Sequence, residues 1–279
     1  MEFLMSVQEL NHLLSNKREI VVVDVRFDLN NHTFGQDAYK KGHIPGAIYL
    51  DLNKDLSGSA EKHGGSHPLP DAKLFAKKLG EYGIDTKTNV VIYDQANEMF
   101  APRLWFMLHH LGHEQVYVLE GGMQAWLDAG FEVTKEIPAY GKKQFVPQPK
   151  QHAIVHMKEV KDKVQANEAV LIDSRARERY LGKVEPMYKK AGHIPGAKNY
   201  FWKDVMADDN KWKRVEALHE HFASLPKDKE IIVSCGSGVS ACPNIMGLKM
   251  AGFTNVKLYP GSFSDWISYE ENKVETKEQ

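Results

Sequence analysis

Cysteine is scarce in this chain, with only Cys235 and Cys242 in 279 residues, and that excludes a disulfide-stapled secreted scaffold. Long hydrophobic runs are missing as well. Runs such as Val21–Val23 and Ala169–Ile172 fall far short of the roughly 18 residues that a membrane helix needs. The opening MEFLMSVQEL has no basic stretch followed by an apolar core, the pattern of a secretion signal. Nor is there an excess of one charge: 36 basic and 37 acidic residues leave a net −1, which argues against a broad nucleic-acid or anionic-membrane surface. The expectation is a chain that works in the reducing cytoplasm, with neither nucleic acid nor membrane as partner.

What is present fits a globular protein: 42% hydrophobic and 26% charged residues. At about 150 residues per domain the length suggests two domains. Internal repetition supports that number. The hexapeptide GHIPGA occupies Gly42–Ala47 and returns unchanged at Gly192–Ala197. Upstream of each copy an apolar run ends in an acid and an arginine, VVVDVR to Arg26 and VLIDSR to Arg175. Downstream, VVIYD ending at Asp94 matches IIVSC ending at Cys235, Pro102 matches Pro243, and LEGGMQAW to Trp126 matches LYPGSFSDW to Trp266. The chain is a tandem duplication.

Short β-branched runs predict strands at Ile20–Asp24, Val90–Tyr93 and Val116–Leu119, with a helix over Leu104–Leu111 between the last two. The second half repeats them at Val170–Asp173, Glu230–Ser234 and Val256–Tyr259. Apolar strands alternating with helices imply an α/β fold, two domains each built on a parallel sheet with helices on both faces. The segment 137–152, IPAYGKKQFVPQPKQH, has three prolines and no helical period, and reads as a linker between a first domain over 1–136 and a second over 153–279.

Ligands of open α/β sheets bind beyond the carboxyl ends of the strands. There, after EIIVS, stands CGSGVSAC, leading into a helix with Pro243 in its first turn. Gly236 and Gly238 let the backbone curl so that successive N–H groups converge on one centre, and the helix dipole adds to that field. Such a setting favours a thiolate, so Cys235 is read as a nucleophile rather than as a small buried hydrophobe. Cys242, further along and on the helix, is read as packing. The first half supplies a control: Asp94 holds the matching position and QANEMFAP follows it, with neither thiol nor glycines, so only the second half is expected to be catalytic. Cysteine phosphatases need an arginine six residues after the nucleophile, and that position is Ala241. There is no C-x-x-C pair for dithiol chemistry.

The paired GHIPGA motifs, the Cys235 loop and the matching Trp126 and Trp266 endings resemble the two-domain rhodanese (sulfurtransferase) family over nearly the whole chain. The resemblance implies two five-stranded rhodanese domains, the first inactive, and an enzyme needing no metal or organic cofactor. Cys235 would take a sulfur atom from a small-molecule donor, carry it as a persulfide and pass it to a thiol or cyanide; a thiol-reductant protein is a further candidate acceptor. Backbone amides from Gly236 through Ser237, Gly238 and Val239 to Ser240 would hold the persulfide anion.

Within the family, basic residues after the cysteine go with thiosulfate, whereas CGSGVSA is similar to the CGSGVTA of mercaptopyruvate-preferring members. This favours 3-mercaptopyruvate as donor and leaves a thiosulfate:cyanide sulfurtransferase, or a non-catalytic persulfide carrier, as alternatives. Arg179 has no counterpart in the first half, where Asn30 stands, and it matches an arginine that clamps the donor carboxylate. A second clamp arginine of the family is missing: EPMYKK puts Met187 and Tyr188 there, with Lys189 or Lys190 as substitutes. A loop serine, Ser237, and a histidine, His67, match a proposed relay whose aspartate position is Asn53, flanked by Asp51 and Asp55. The shared pairs Asp24/Arg26 and Asp173/Arg175 read as strand-end ion pairs, and His43 and His193 as framework. The site is expected in the cleft between the domains.

Overall fold

The structure, a computed structural model, describes residues 3–277. It divides into two compact units. The first comprises Met1–Gly58, Pro70–Lys150 and Asp208–Trp212; the second comprises Ser59–Leu69, Gln151–Ala207 and Lys213–Gln279. Each unit therefore contains a short segment that the sequence places in the other half.

The first unit holds a five-stranded, all-parallel sheet of β1 (Leu4–Met5), β2 (Ile20–Asp24), β3 (Ala47–Tyr49), β4 (Asn89–Tyr93) and β5 (Val116–Leu119) in the order β1-β5-β4-β2-β3. All five residues of β2 are buried, as expected of a central parallel strand with both faces covered. Its helices are α1 (Val7–Ser15), α2 (Phe34–Lys41), α3 (Ala72–Glu81), α4 (Phe100–His110) and α5 (Gly122–Asp128). Ser6 and Glu9 cap α1 reciprocally, and Asp71 caps α3 through the amides of Lys73 and Leu74. Helix α4 is buried from Phe100 to Leu108. Residues 137–150 form no helix or strand and lie along this unit, through Lys143 to Gly80, Gln148 to Leu111 and Lys150 to His110.

The second unit repeats the plan with β6 (Ala169–Asp173), β7 (Lys198–Asn199), β8 (Glu230–Ser234) and β9 (Val256–Leu258), parallel and ordered β7-β6-β8-β9. This sheet has four strands rather than five. The equivalent of β1 is reduced to one parallel bridge, Ile154 to Leu258. Its helices are α6 (Met157–Gln165), α7 (Arg177–Tyr180), α8 (Val215–His221), α9 (Cys242–Met250) and α10 (Ser262–Trp266), with α9 buried from Cys242 to Leu248.

The duplication persists in side-chain detail. The indole N–H of Trp126 donates to the Glu132 carbonyl at 2.9 Å, and that of Trp266 to the Lys273 carbonyl at 2.7 Å. His43 stacks on Tyr39 and His193 on Tyr180, each with Nδ1 on that tyrosine's carbonyl oxygen. Both GHIPGA histidines are thus part of the framework. Among the described residues no helix is long and apolar enough to cross a membrane.

Candidate active site

Cys235 follows the last residue of β8, at the carboxyl edge of the second sheet, and is 1% exposed. Asp94 follows β4 in the same way, and the surroundings correspond. The Met123 and Gln124 amides donate to the Asp94 and Gln95 carbonyls, and the Phe263 and Ser264 amides to those of Cys235 and Gly236. In the first unit the cradle is filled by the chain's own carboxylate, which accepts the Glu98 and Ala101 amides at 3.0 Å each. Burial raises the pKa of Asp94, against the pull of those two amides.

In the second unit the thiol sits there instead. Its Sγ accepts the Gly238 amide at 3.0 Å. Gly238 has φ +79°, and a Cβ on it would lie 2.3 Å from the Pro260 carbonyl oxygen, so only glycine allows this curl. Among the described residues no acceptor meets the amides of Ser237, Val239 or Ser240. The loop therefore presents unspent N–H groups in a buried setting, which is what an extended sulfur anion would need. The Ser262 hydroxyl accepts the Cys235 amide at 3.0 Å and stands 3.9 Å from Sγ. The Cys242 thiol, at the first residue of α9, donates to the Gly238 carbonyl at 3.4 Å and so buttresses the loop. Neither cysteine is in a disulfide.

The segment 59–69 packs onto α10 and the turn after it. Gly65 meets the backbone of Gly261, where a Cβ would come within 2.5 Å. The Gly64 amide donates to Asp265 at 2.7 Å, the Ser66 amide to the Ser264 hydroxyl at 3.1 Å, and His63 pairs with the Ser268 hydroxyl at 2.7 Å while stacking on Tyr269. These contacts carry His67 to the cysteine loop, with its Nδ1 2.8 Å from the Ser237 hydroxyl.

The strand-end pairs are bidentate and buried. Arg26 grips Asp24 and reaches the Gly42 carbonyl; Arg175 grips Asp173 and reaches the Gly192 carbonyl. Arg175 also donates to Glu185 at 3.2 Å and lies over the Phe263 ring at 4.0 Å. Glu185, whose side chain is 2% exposed, holds Arg179 as well, through Nε at 3.2 Å and Nη2 at 2.7 Å. Two guanidinium groups thus face two carboxylates, and Arg179, with 21% of its side chain exposed, brings hydrogen-bond donors without a net positive patch. Sequence reasoning singled out Arg179 but missed Glu185, Ser262 and Ser264.

Other candidates are engaged elsewhere. Asp51 accepts the Asn53 and Lys54 amides and Asp55 pairs with Lys78, all within the first unit. Lys189 is exposed and Lys190 half-buried. Among the described residues no group of three or more His, Cys, Asp or Glu is arranged to hold a metal ion.

The Rhodanese-like domain family matches the chain twice, over residues 6–129 and 156–269. A Pseudomonas aeruginosa protein named probable 3-mercaptopyruvate sulfurtransferase is 37% identical over 278 residues, covering 98% of each chain. Arabidopsis thaliana thiosulfate/3-mercaptopyruvate sulfurtransferase 1 is 30% identical, over 86% of this chain and 69% of its own. The crystal structure of SseA from Escherichia coli, a 3-mercaptopyruvate sulfotransferase, superposes with a TM-score of 0.83 at 30% identity, covering 95% of this chain and all of that one. Two copies of one cysteine-loop scaffold, one of them holding a thiol and the other a carboxylate, together with these similarities, show that the chain belongs to the rhodanese family.

Proposed function

We propose that the chain is a sulfurtransferase that takes sulfur from 3-mercaptopyruvate on Cys235 and hands it to a thiol or to cyanide. The observation that carries this reading is the Cys235 sulfur held on the Gly238 amide at 3.0 Å, with the unspent amides of the same loop around it. The Cys235 thiolate attacks the donor sulfur; the S–S bond forms as the donor C–S bond breaks, and the thiol proton ends on the departing carbon, which leaves as pyruvate. The enzyme then holds a persulfide anion, stabilised by the amides of Gly236 through Ser240. Cyanide attack on the outer sulfur releases thiocyanate, or a small thiol leaves as its own persulfide, and the Cys235 thiolate returns either way. A thiol-reductant protein is a suitable acceptor of the second kind.

His67 and Ser237 form the proton path to the leaving enolate, supported by their 2.8 Å contact. Arg179 supplies donors to the donor carboxylate. We read residues 1–136 as the non-catalytic domain, 137–152 as the connection and 153–279 as the catalytic domain, acting in the reducing cytoplasm.

The alternative donor is thiosulfate, in keeping with the double name of the Arabidopsis relative. Neutral Gly236 and Ser237 after the nucleophile favour the keto acid over a dianion. The test is kcat/KM for both donors on one preparation, beside a Cys235→Ser variant. We expect mercaptopyruvate to be preferred and the variant to lose transfer while keeping its fold; a clear thiosulfate preference reverses the donor order, and normal turnover by the variant rejects the mechanism.

A further inference from the structure

Tyr188 is the side chain that closes over the residue next to the nucleophile. A Cβ built on Gly236 would lie 2.9 Å from the Tyr188 hydroxyl oxygen and 3.4 Å from Cε2 of its ring. The ring is fixed from two sides, by the edge of Phe263 at 6.1 Å and by Arg179 over its face at 5.6 Å. The Ser66 and Ser264 side chains lie near the hydroxyl, and the Ser264 amide is tied to the Gly236 carbonyl while its hydroxyl donates to the Gly261 carbonyl. Burial first, and the nearby Cys235 charge second, raise the Tyr188 pKa, so the oxygen keeps its proton and remains a donor. Beside it, Asp173, Arg175, Arg179 and Glu185 cancel in charge. An incoming carboxylate therefore finds hydrogen-bond donors rather than a cationic field, and the phenol is the donor standing above the loop.

We propose that Tyr188 is a donor-binding residue: its hydroxyl hydrogen-bonds the carboxylate of the keto-acid sulfur donor, and its seat over Gly236 keeps position 236 bare of a side chain. This deepens the reading of Cys235 as a mercaptopyruvate-loaded nucleophile and rests on it. Selectivity then comes from a neutral donor and a steric limit acting together. A cationic side chain at position 236, suited to a dianionic donor, would have to push the tyrosine hydroxyl out of this place.

Tyr188→Phe keeps the ring, its packing on Phe263 and its face toward Arg179. We expect its KM for 3-mercaptopyruvate to rise about tenfold with kcat within about twofold. Loading of Cys235 by inorganic polysulfide, which has no carboxylate, should be unchanged when followed by mass as a gain of sulfur. An unaltered KM overturns the proposal, and so does an equal loss with both donors, which would mark a structural role. Gly236→Ala supplies a second arm: it should raise KM in the native background by pushing the hydroxyl aside, and add little in the Tyr188→Phe background. Full additivity would refute the steric half. The Cys235→Ser control separates the two levels, because turnover there rejects the underlying mechanism whatever Tyr188 does.

Discussion

Ser262 has φ +52°, in the left-handed region, where its counterpart Gly122 has φ +58°. The second half thus accepts backbone strain of about 1 kcal/mol to place a side chain against the cysteine loop. What that side chain gains is the Cys235 amide bond and a position 3.9 Å from the sulfur. Ser262→Ala keeps the strain and leaves a buried N–H without its acceptor, so it should lower unfolding free energy by about 1–3 kcal/mol in urea titrations. It should also alter the rate at which iodoacetamide alkylates Cys235. A stability unchanged within error would deny the hydroxyl its role. The difference between LEGGMQAW and LYPGSFSDW was on view in the sequence, yet nothing there marks the position as left-handed. Cys235 was legible because its first-half twin is an aspartate. Glu185 was not, since a glutamate in a Pro-bearing stretch looks solvated until tertiary packing sets two arginines on it.

At the level of elements, the strands of four and five residues were legible, as was the three-residue edge strand β9, whereas β1, β3 and β7 were not. Glu230–Ser234 and Val116–Leu119 match their expected bounds, being apolar runs flanked by turns, whereas the two-residue β1 and β7 are too brief to carry a period. The exits of β2 and β6 carry the buried ion pairs, and there the two halves differ: Arg175 balances Glu185 as well as Asp173. Arg175→Leu leaves Asp173, whose side chain is 1% exposed, without its cation, and leaves the buried Glu185 with Arg179 alone. It should cost about 3–5 kcal/mol, the range for breaking a buried pair, and lower the thermal midpoint of the second unit accordingly. A shift of less than about 1 kcal/mol would mean that water reaches these groups freely. Because Glu185 also holds Arg179, the same variant should weaken donor binding.

For the whole molecule, buried histidines set an acid limit. Burial pushes the His113 pKa down to about 4, and its Nδ1 accepts the Gln115 amide; His221, in the second unit, is lowered for the same first reason. With an ordinary value near 6.5 in the unfolded chain, the unfolded state binds a proton that the native state refuses between about pH 6.5 and pH 4. Stability is therefore fully present above about pH 6.5 and falls as the pH drops toward 4, with His113 accounting for at most about 3 kcal/mol. His113→Asn, whose carbonyl can take over the Gln115 amide, should flatten the dependence of the urea midpoint on pH over that window. An undiminished slope would point to other groups.

The assignment of Ser59–Leu69 to the second unit and of Asp208–Trp212 to the first also bears on how such a gene can be cut. A break at the repeat boundary yields a carboxyl-terminal product that owns Cys235 and Ser237 but not His67, and an amino-terminal product without Asn210, whose side-chain amide donates to the Ala96 carbonyl and whose backbone carbonyl accepts the Asn97 side-chain amide. The copy with Asp94 in place of the thiol is consequently not spare: it encodes the histidine that meets the other copy's cysteine loop. Selection on that loop would reach into both halves and keep them in one frame.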